Sequence, residues 1–149
     1  MTHAVTCALR VSGTSPEGAR VSVRRQQFAV GRPIEFDEAS PRIAALEYAV
    51  GAVGAEVVGG LSGLARQRHV DIDDVEALVR CEVEHALVYL GVVGEHGQPR
   101  IARMHVKVFV SAADEPSVRR IWEELADRLP LVSTMRAACP LDLELVMTP

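Results

Sequence analysis

Apolar and polar residues alternate at both ends of the chain and recur every three to four residues in its middle. Val5, Cys7, Leu9 and Val11 alternate with Ala4, Thr6, Ala8 and Arg10, which predicts a strand over 4–11. Ser, Pro and Gly across 13–18 predict a turn. Residues 19–24 alternate again, with Val21 and Val23 on one face, and 27–30 form a third short strand. The stretch 31–40, with Pro33 inside it, reads as irregular.

Ser40 and Pro41 predict a helix start, with Ser as N-cap and Pro at the first helical position, and the helix extends to about His69. Within it Gly51, Ala55, Gly59 and Gly63 recur every four residues as a ridge of small side chains. Glycine inside a helix costs about 1 kcal/mol against alanine, so close approach to another element is expected on that ridge. The partner is either the protein's own sheet or a helix crossing at a subunit interface.

Asp71 to Asp74 form an acidic turn. Ala77, Val79, Cys81, Val83 and His85 then share one face of a long strand. A hairpin loop over 94–99 leads to a return strand with Ala102, Met104, Val106, Val108 and Val110 on one face. Asp114 and Pro116 open a second helix with a stripe of Val118, Ile121, Trp122, Leu125 and Leu129, which Pro130 stops. Cys139, Leu141, Leu143, Leu145 and Met147 alternate on a last strand. Three strands, a long helix, two strands, a helix and a strand make an α+β order.

The 149 residues suit a single domain, 1–149, with a sizeable core. The net charge of −4 and the scattering of the basic residues argue against nucleic acid as a partner. Residues 43–65 are long and apolar enough to span a bilayer, but Glu47 and Glu56 fall inside them, and a carboxylate in lipid is costly. A buried helix of a cytoplasmic protein is the expectation, with no signal peptide at the N-terminus and no membrane partner.

The candidate chemistry is sparse. Cys7, Cys81 and Cys139 each fall in phase with the apolar face of a strand, so they read as core residues rather than low-pKa thiols. The five histidines show no zinc spacing, although His85 and His105 could meet across paired strands; no metal or cofactor is expected. Phosphate-binding and nucleophile-elbow motifs are absent. Glu56 stands out as a carboxylate among Gly, Ala and Val. It must find a partner, reach water on an exposed stripe with Tyr48 or Arg66, or hold its proton in an apolar pocket.

From about residue 19 onward the chain resembles the OsmC/Ohr family, most closely its OsmC-like branch related to YhfA, and three segments carry the resemblance. Gln27-Phe28-Ala29-Val30-Gly31-Arg32-Pro33 resembles the loop before the family's long helix, and the run from Leu46-Glu47-Tyr48 to Ala55-Glu56 resembles the helix that ends in its peroxidatic cysteine. Leu129-Pro130-Leu131-Val132-Ser133-Thr134-Met135 resembles the Cys-Pro-Val-x-x-Thr-Leu segment of its resolving cysteine. The resemblance implies an intertwined homodimer with long central helices and an apolar pocket at the interface, lined here by Glu47, Glu56 and Leu129, with Gly51, Ala55, Gly59 and Gly63 on the dimer helix.

On that alignment the two redox cysteines fall at Glu56 and Leu129. Aligning on Pro41 instead moves the first to Ala52, and no cysteine stands anywhere between Cys7 and Cys81. Peroxide reduction in such a family needs a thiolate that becomes a sulfenic acid and a second thiol that condenses with it. The expectation is therefore a homodimer without those thiols that binds a small apolar or amphipathic ligand, with Glu56 as its polar handle or as a general acid or base. The alternatives are a hydroperoxide reductase working through relocated cysteines and a dimer with no pocket chemistry.

Overall fold

The computed structural model describes residues 3–15, 18–31 and 41–149. The chain divides into two compact units, 1–48 and 49–149, and the boundary falls within the long helix.

In the first unit, strands β1 (Arg10–Ser15), β2 (Gly18–Val23) and β3 (Gln26–Val30) form an antiparallel meander. β1 starts later than the alternation predicts: 4–9 carry the period but have no strand partner among the described residues. The expected turn is in part strand, because β1 runs on through Gly13 to Ser15. Gly18 has φ +140, and a Cβ there would lie 2.0 Å from the Val30 carbonyl oxygen, so only glycine fits this crowded pairing. Tyr48 packs its ring 5.0 Å from that of Phe28 and donates its hydroxyl to the Ala29 carbonyl. Among the described residues of this unit only Val30 and Ala44 are buried.

Helix α1 spans Ala45–Gln67, four residues later at its start than Ser40-Pro41 suggests. Ser40 lies outside the described residues, and Pro41 precedes the helix. The working cap is Glu47, whose carboxylate accepts the Ala44 amide at 2.7 Å, the reach-back half of a capping box.

In the second unit, β4 (Asp74–Glu84), β5 (Arg100–Ser111) and β6 (Leu141–Thr148) form the other sheet, with β5 central. β4 pairs antiparallel with β5, whereas β6 pairs parallel to it. The six strands thus form two sheets, one antiparallel and one mixed. The parallel strand is possible because the chain crosses over through helical structure between β5 and β6. That crossover holds α3 (Glu115–Leu125), a short 3-10 turn, and α4 (Pro130–Ala138). A short helix, α2 (Ala86–Tyr89), interrupts the β4–β5 connection where His85 takes a left-handed conformation, φ 52. Neither α2 nor α4 is among the predicted elements.

The core lies between the β4–β5–β6 sheet and the helices. Val53, Val57, Leu61 and Leu64 of α1 join Met104, Val106, Val108 and Val110 of β5 and Val118, Ile121 and Leu125 of α3. These β5 and α3 residues are those the periodicity selects. α1 is long and apolar enough to cross a membrane, but Val53, Gly54, Val57, Leu61, Leu64 and Ala65 are buried against protein.

The small residues of α1 divide into two sets. Gly54 abuts Val79, where a Cβ would come within 2.5 Å of the valine methyl, and Gly60 abuts Leu129 and Leu125 at 2.7 and 3.0 Å. Gly51, Gly59 and Gly63, the glycines of the predicted ridge, have nothing among the described residues within 4 Å of such a Cβ. The close approaches, to the sheet at Gly54 and to the α3–α4 connection at Gly60, are made by the two glycines outside the ridge.

Candidate functional site

The site forms where α1 meets the start of α4. Leu129 is extended, φ −107 and ψ 107, as a residue before proline prefers. Pro130 sits at the first helical position, where its missing N–H costs nothing. So Pro130 does not merely end the preceding helix; it opens the next. A helix start leaves amides needing acceptors, and an N-cap Ser, Thr, Asp or Asn normally serves the second and third of them. Leu129 has no oxygen to offer.

Glu56 supplies it from α1. The Leu131 amide donates to Glu56 Oε2 at 2.9 Å and Oε1 at 3.0 Å, and the Val132 amide lies 3.4 Å from Oε1. The carboxylate thus serves the same two donors as a local cap and adds a negative charge at the positive end of the helix dipole. One turn along α1, Gly60 lets Leu129 pack against the helix, and Leu129 is 5% exposed. Glu56 and the Leu129–Leu131 turn are therefore brought together, although Glu56 is joined to Leu131 and Val132 and Leu129 is simply buried.

The other candidate residues have different roles. Glu47 is exposed and caps α1. Tyr48, proposed as a partner on an exposed stripe with Glu56, bonds to Ala29 instead. Arg32, in the segment that resembles the family's loop, lies outside the described residues. His105 stands opposite Arg80, not His85, and faces the Glu144 carboxylate at 3.0 Å. Among the described residues no group of three His, Cys, Asp or Glu converges as metal ligands.

The cysteines separate by environment. Cys7 is exposed, against the expectation of a core residue, because its alternating segment pairs with no strand among the described residues. Cys139 is buried at the end of α4 and Cys81 is half-buried on β4. Burial, and after it the charge of the neighbouring Cys139, pushes the Cys81 thiol up from the ordinary 9.0. That environment disfavours a thiolate.

Sequence reasoning missed the N-terminal turn of α4 as a partner for Glu56. The signal was present in two parts: a proline helix start with no capping side chain before it, and one carboxylate isolated on an apolar helix elsewhere.

Neither a protein-family model nor a curated protein sequence matches the chain. Solved structures do. An OsmC-like protein from Mycoplasma pneumoniae superposes with a TM-score of 0.78 at 9% identity, covering 97% of this chain and 99% of its own. An OsmC-like protein of unknown function from Vibrio cholerae gives 0.75 at 5% identity over 96% and 100%. An organic hydroperoxide resistance protein from Elizabethkingia anophelis, with bound thiocyanate, gives 0.72 at 10% identity over 99% and 100%. The chain is an α+β protein with the fold of the OsmC-like and Ohr proteins, nearly end to end.

Proposed function

We propose that the chain is a homodimer of the OsmC/Ohr fold that binds a small apolar or amphipathic ligand beside Glu56 and does not reduce peroxides through a cysteine pair. The observation that carries this reading is the bond between Glu56 and the first turn of α4. The resemblance puts a reactive thiol at Glu56 and its resolving partner at Leu129. Here a carboxylate on one side holds backbone amides on the other, with no sulfur in the contact. A carboxylate cannot form a sulfenic acid, and Leu129 cannot resolve one.

The homodimer is supported by what a single chain leaves uncovered. A three-stranded sheet needs an apolar face packed against something, yet the first unit buries only Val30 and Ala44 among its described residues. Gly51, Ala55 and Gly59 form an exposed helix face with no neighbour among the described residues at either glycine. A second copy crossing there would account for glycines that otherwise only weaken the helix.

The test has two arms. Native mass spectrometry of protein purified from cells should show a dimer that carries or takes up a small ligand. A hydroperoxide assay with a dithiol reductant should show no turnover above that of a Cys7, Cys81 and Cys139→Ser variant. The second reading, a reductase using Cys81 and Cys139, draws on the electrostatic influence of one thiol on the other. Turnover that disappears with Cys81→Ser would establish it instead.

A further inference from the structure

We propose that the outer face of the β4–β5–β6 sheet carries a binding site for a small zwitterion of the α-amino-acid class. Arg80 and Arg103 take its carboxylate, and Glu82 and Asp142 take its ammonium. The site is separate from Glu56 and does not rest on the reading above.

Strand alternation builds it. Cys81, Met104 and Leu141 turn toward the core, so the residues next to them in sequence face outward. In the register of the sheet Arg80 stands beside His105 and His105 beside Asp142, one row across three strands. Glu82 stands beside Arg103 in the next row. Across an antiparallel pair, directly opposite positions hold their Cβ atoms about 5 Å apart and diagonal ones about 7–8 Å. Arg80 and Arg103 are diagonal neighbours, close enough for two long guanidinium arms to meet on one carboxylate. Arg80, Glu82, Arg103, His105 and Asp142 line one open hollow of about 270 Å³, with no apolar side chain among the described residues around it. Selection there rests on charge.

These charges differ from their neighbours in being unused. Elsewhere on the same face Arg100 pairs with Glu84, and Lys107 and His105 both turn to Glu144, at 3.4 and 3.0 Å. Among the described residues the side chains of Arg80, Glu82, Arg103 and Asp142 make no hydrogen bond or ion pair. Each guanidinium keeps five N–H donors, and each carboxylate keeps its acceptors. Two cations and two anions leave the hollow near neutral, so a simple anion or cation meets repulsion along with attraction. A molecule that carries both charges a few ångströms apart meets a partner for each.

The probes are L-alanine and its two halves: propionate, which lacks the ammonium, and ethylammonium, which lacks the carboxylate. Each is titrated into isotope-labelled full-length protein at neutral pH and low ionic strength. The guanidinium NMR signals of Arg80 and Arg103 and the ring signals of His105 are followed. Alanine should shift them saturably and bind at least about tenfold tighter than either half. The four side chains are exposed, so their substitution spares the core. Arg80→Gln and Arg103→Gln should each weaken alanine about tenfold, whereas Arg119→Gln, on α3 and outside the hollow, should leave it unchanged. The double variant Glu82→Gln, Asp142→Asn should bind propionate as well as alanine. The proposal is overturned by the absence of a saturable shift with alanine or by propionate equal to alanine in the wild type. A loss with Arg119→Gln as large as that with Arg80→Gln overturns it too.

Discussion

Glu56 and Leu131, 75 positions apart, are joined by two hydrogen bonds of 2.9 and 3.0 Å from one amide to both carboxylate oxygens. The contact ties the middle of α1 to the first turn of α4 without a covalent link. Its removal should cost what loss of a good helix cap costs. Glu56→Ala is expected to lower stability by about 0.5–2 kcal/mol, and Glu56→Gln by less, since one oxygen still accepts. Urea denaturation of the three proteins reads this directly. An alanine variant as stable as wild type would mean the carboxylate contributes nothing to the cap.

The two sets of glycines predict opposite responses along one helix. Gly54→Ala drives a methyl to within 2.5 Å of Val79, a stiff β-branched side chain on β4. Overpacking of that kind costs about 1–3 kcal/mol, which outweighs the gain in helix propensity. Gly59→Ala meets nothing among the described residues and should leave the isolated protomer stabilised by up to about 1 kcal/mol. Gly59→Leu should instead disrupt association. Thermal melts and light scattering of the three variants separate the effects.

Light scattering of the wild type at micromolar concentration is expected to give about twice the chain mass of 16.1 kDa. A folded species of single-chain mass would contradict the homodimer.

Asp114 gives the acid side of the stability profile. The Ser117 hydroxyl first, then the Ser117 amide, holds its carboxyl below the ordinary 3.8. A depressed folded pKa stabilises the native state above the unfolded value, and that contribution is lost as pH falls through the folded one. Asp114→Ala should therefore be less stable than wild type at pH 6, and the gap should close as pH drops below 3.8. A gap that stays constant down to pH 2 would rule out the ionised cap.

Cys81 sets the opposite sign at alkaline pH. Its thiol is pushed up by burial and by Cys139, so the folded chain keeps a proton that the unfolded chain has released above 9.0. Its contribution is complete below that pH and is lost as pH rises further. Iodoacetamide at pH 8 should label exposed Cys7 well before Cys81, read by peptide mass spectrometry. Faster labelling of Cys81 would show an activated thiol and favour the reductase reading.

Much of the fold could be read from local pattern, and the misses have common causes. β5 and α3 announce themselves because each has one wet and one dry side: Met104, Val106, Val108 and Val110 alternate, and Val118, Ile121 and Leu125 recur at helical spacing. The segment 4–9 alternates equally well yet has no partner strand among the described residues, since pairing is decided by distant residues. α4 went unseen because Pro130 is both a helix stop and a helix start, and the capping side chain that would distinguish them is supplied by Glu56 from far away. The parallel direction of β6 leaves no trace in its own residues. The resemblance located Glu56 and Leu129, but only the three-dimensional arrangement shows that the amide after Pro130 is what Glu56 holds.

The parallel pairing of β6 with β5 has a consequence for the order of assembly. β4 and β5 are neighbours in sequence and can zip from their connection outward, while β6 must wait for the whole α3–α4 crossover to close. The Glu56 contact to α4 belongs to that later step. Its loss should leave the refolding rate nearly unchanged and speed unfolding. The carboxylate would then act as a latch on the finished molecule, governing how long it stays closed more than how fast it forms.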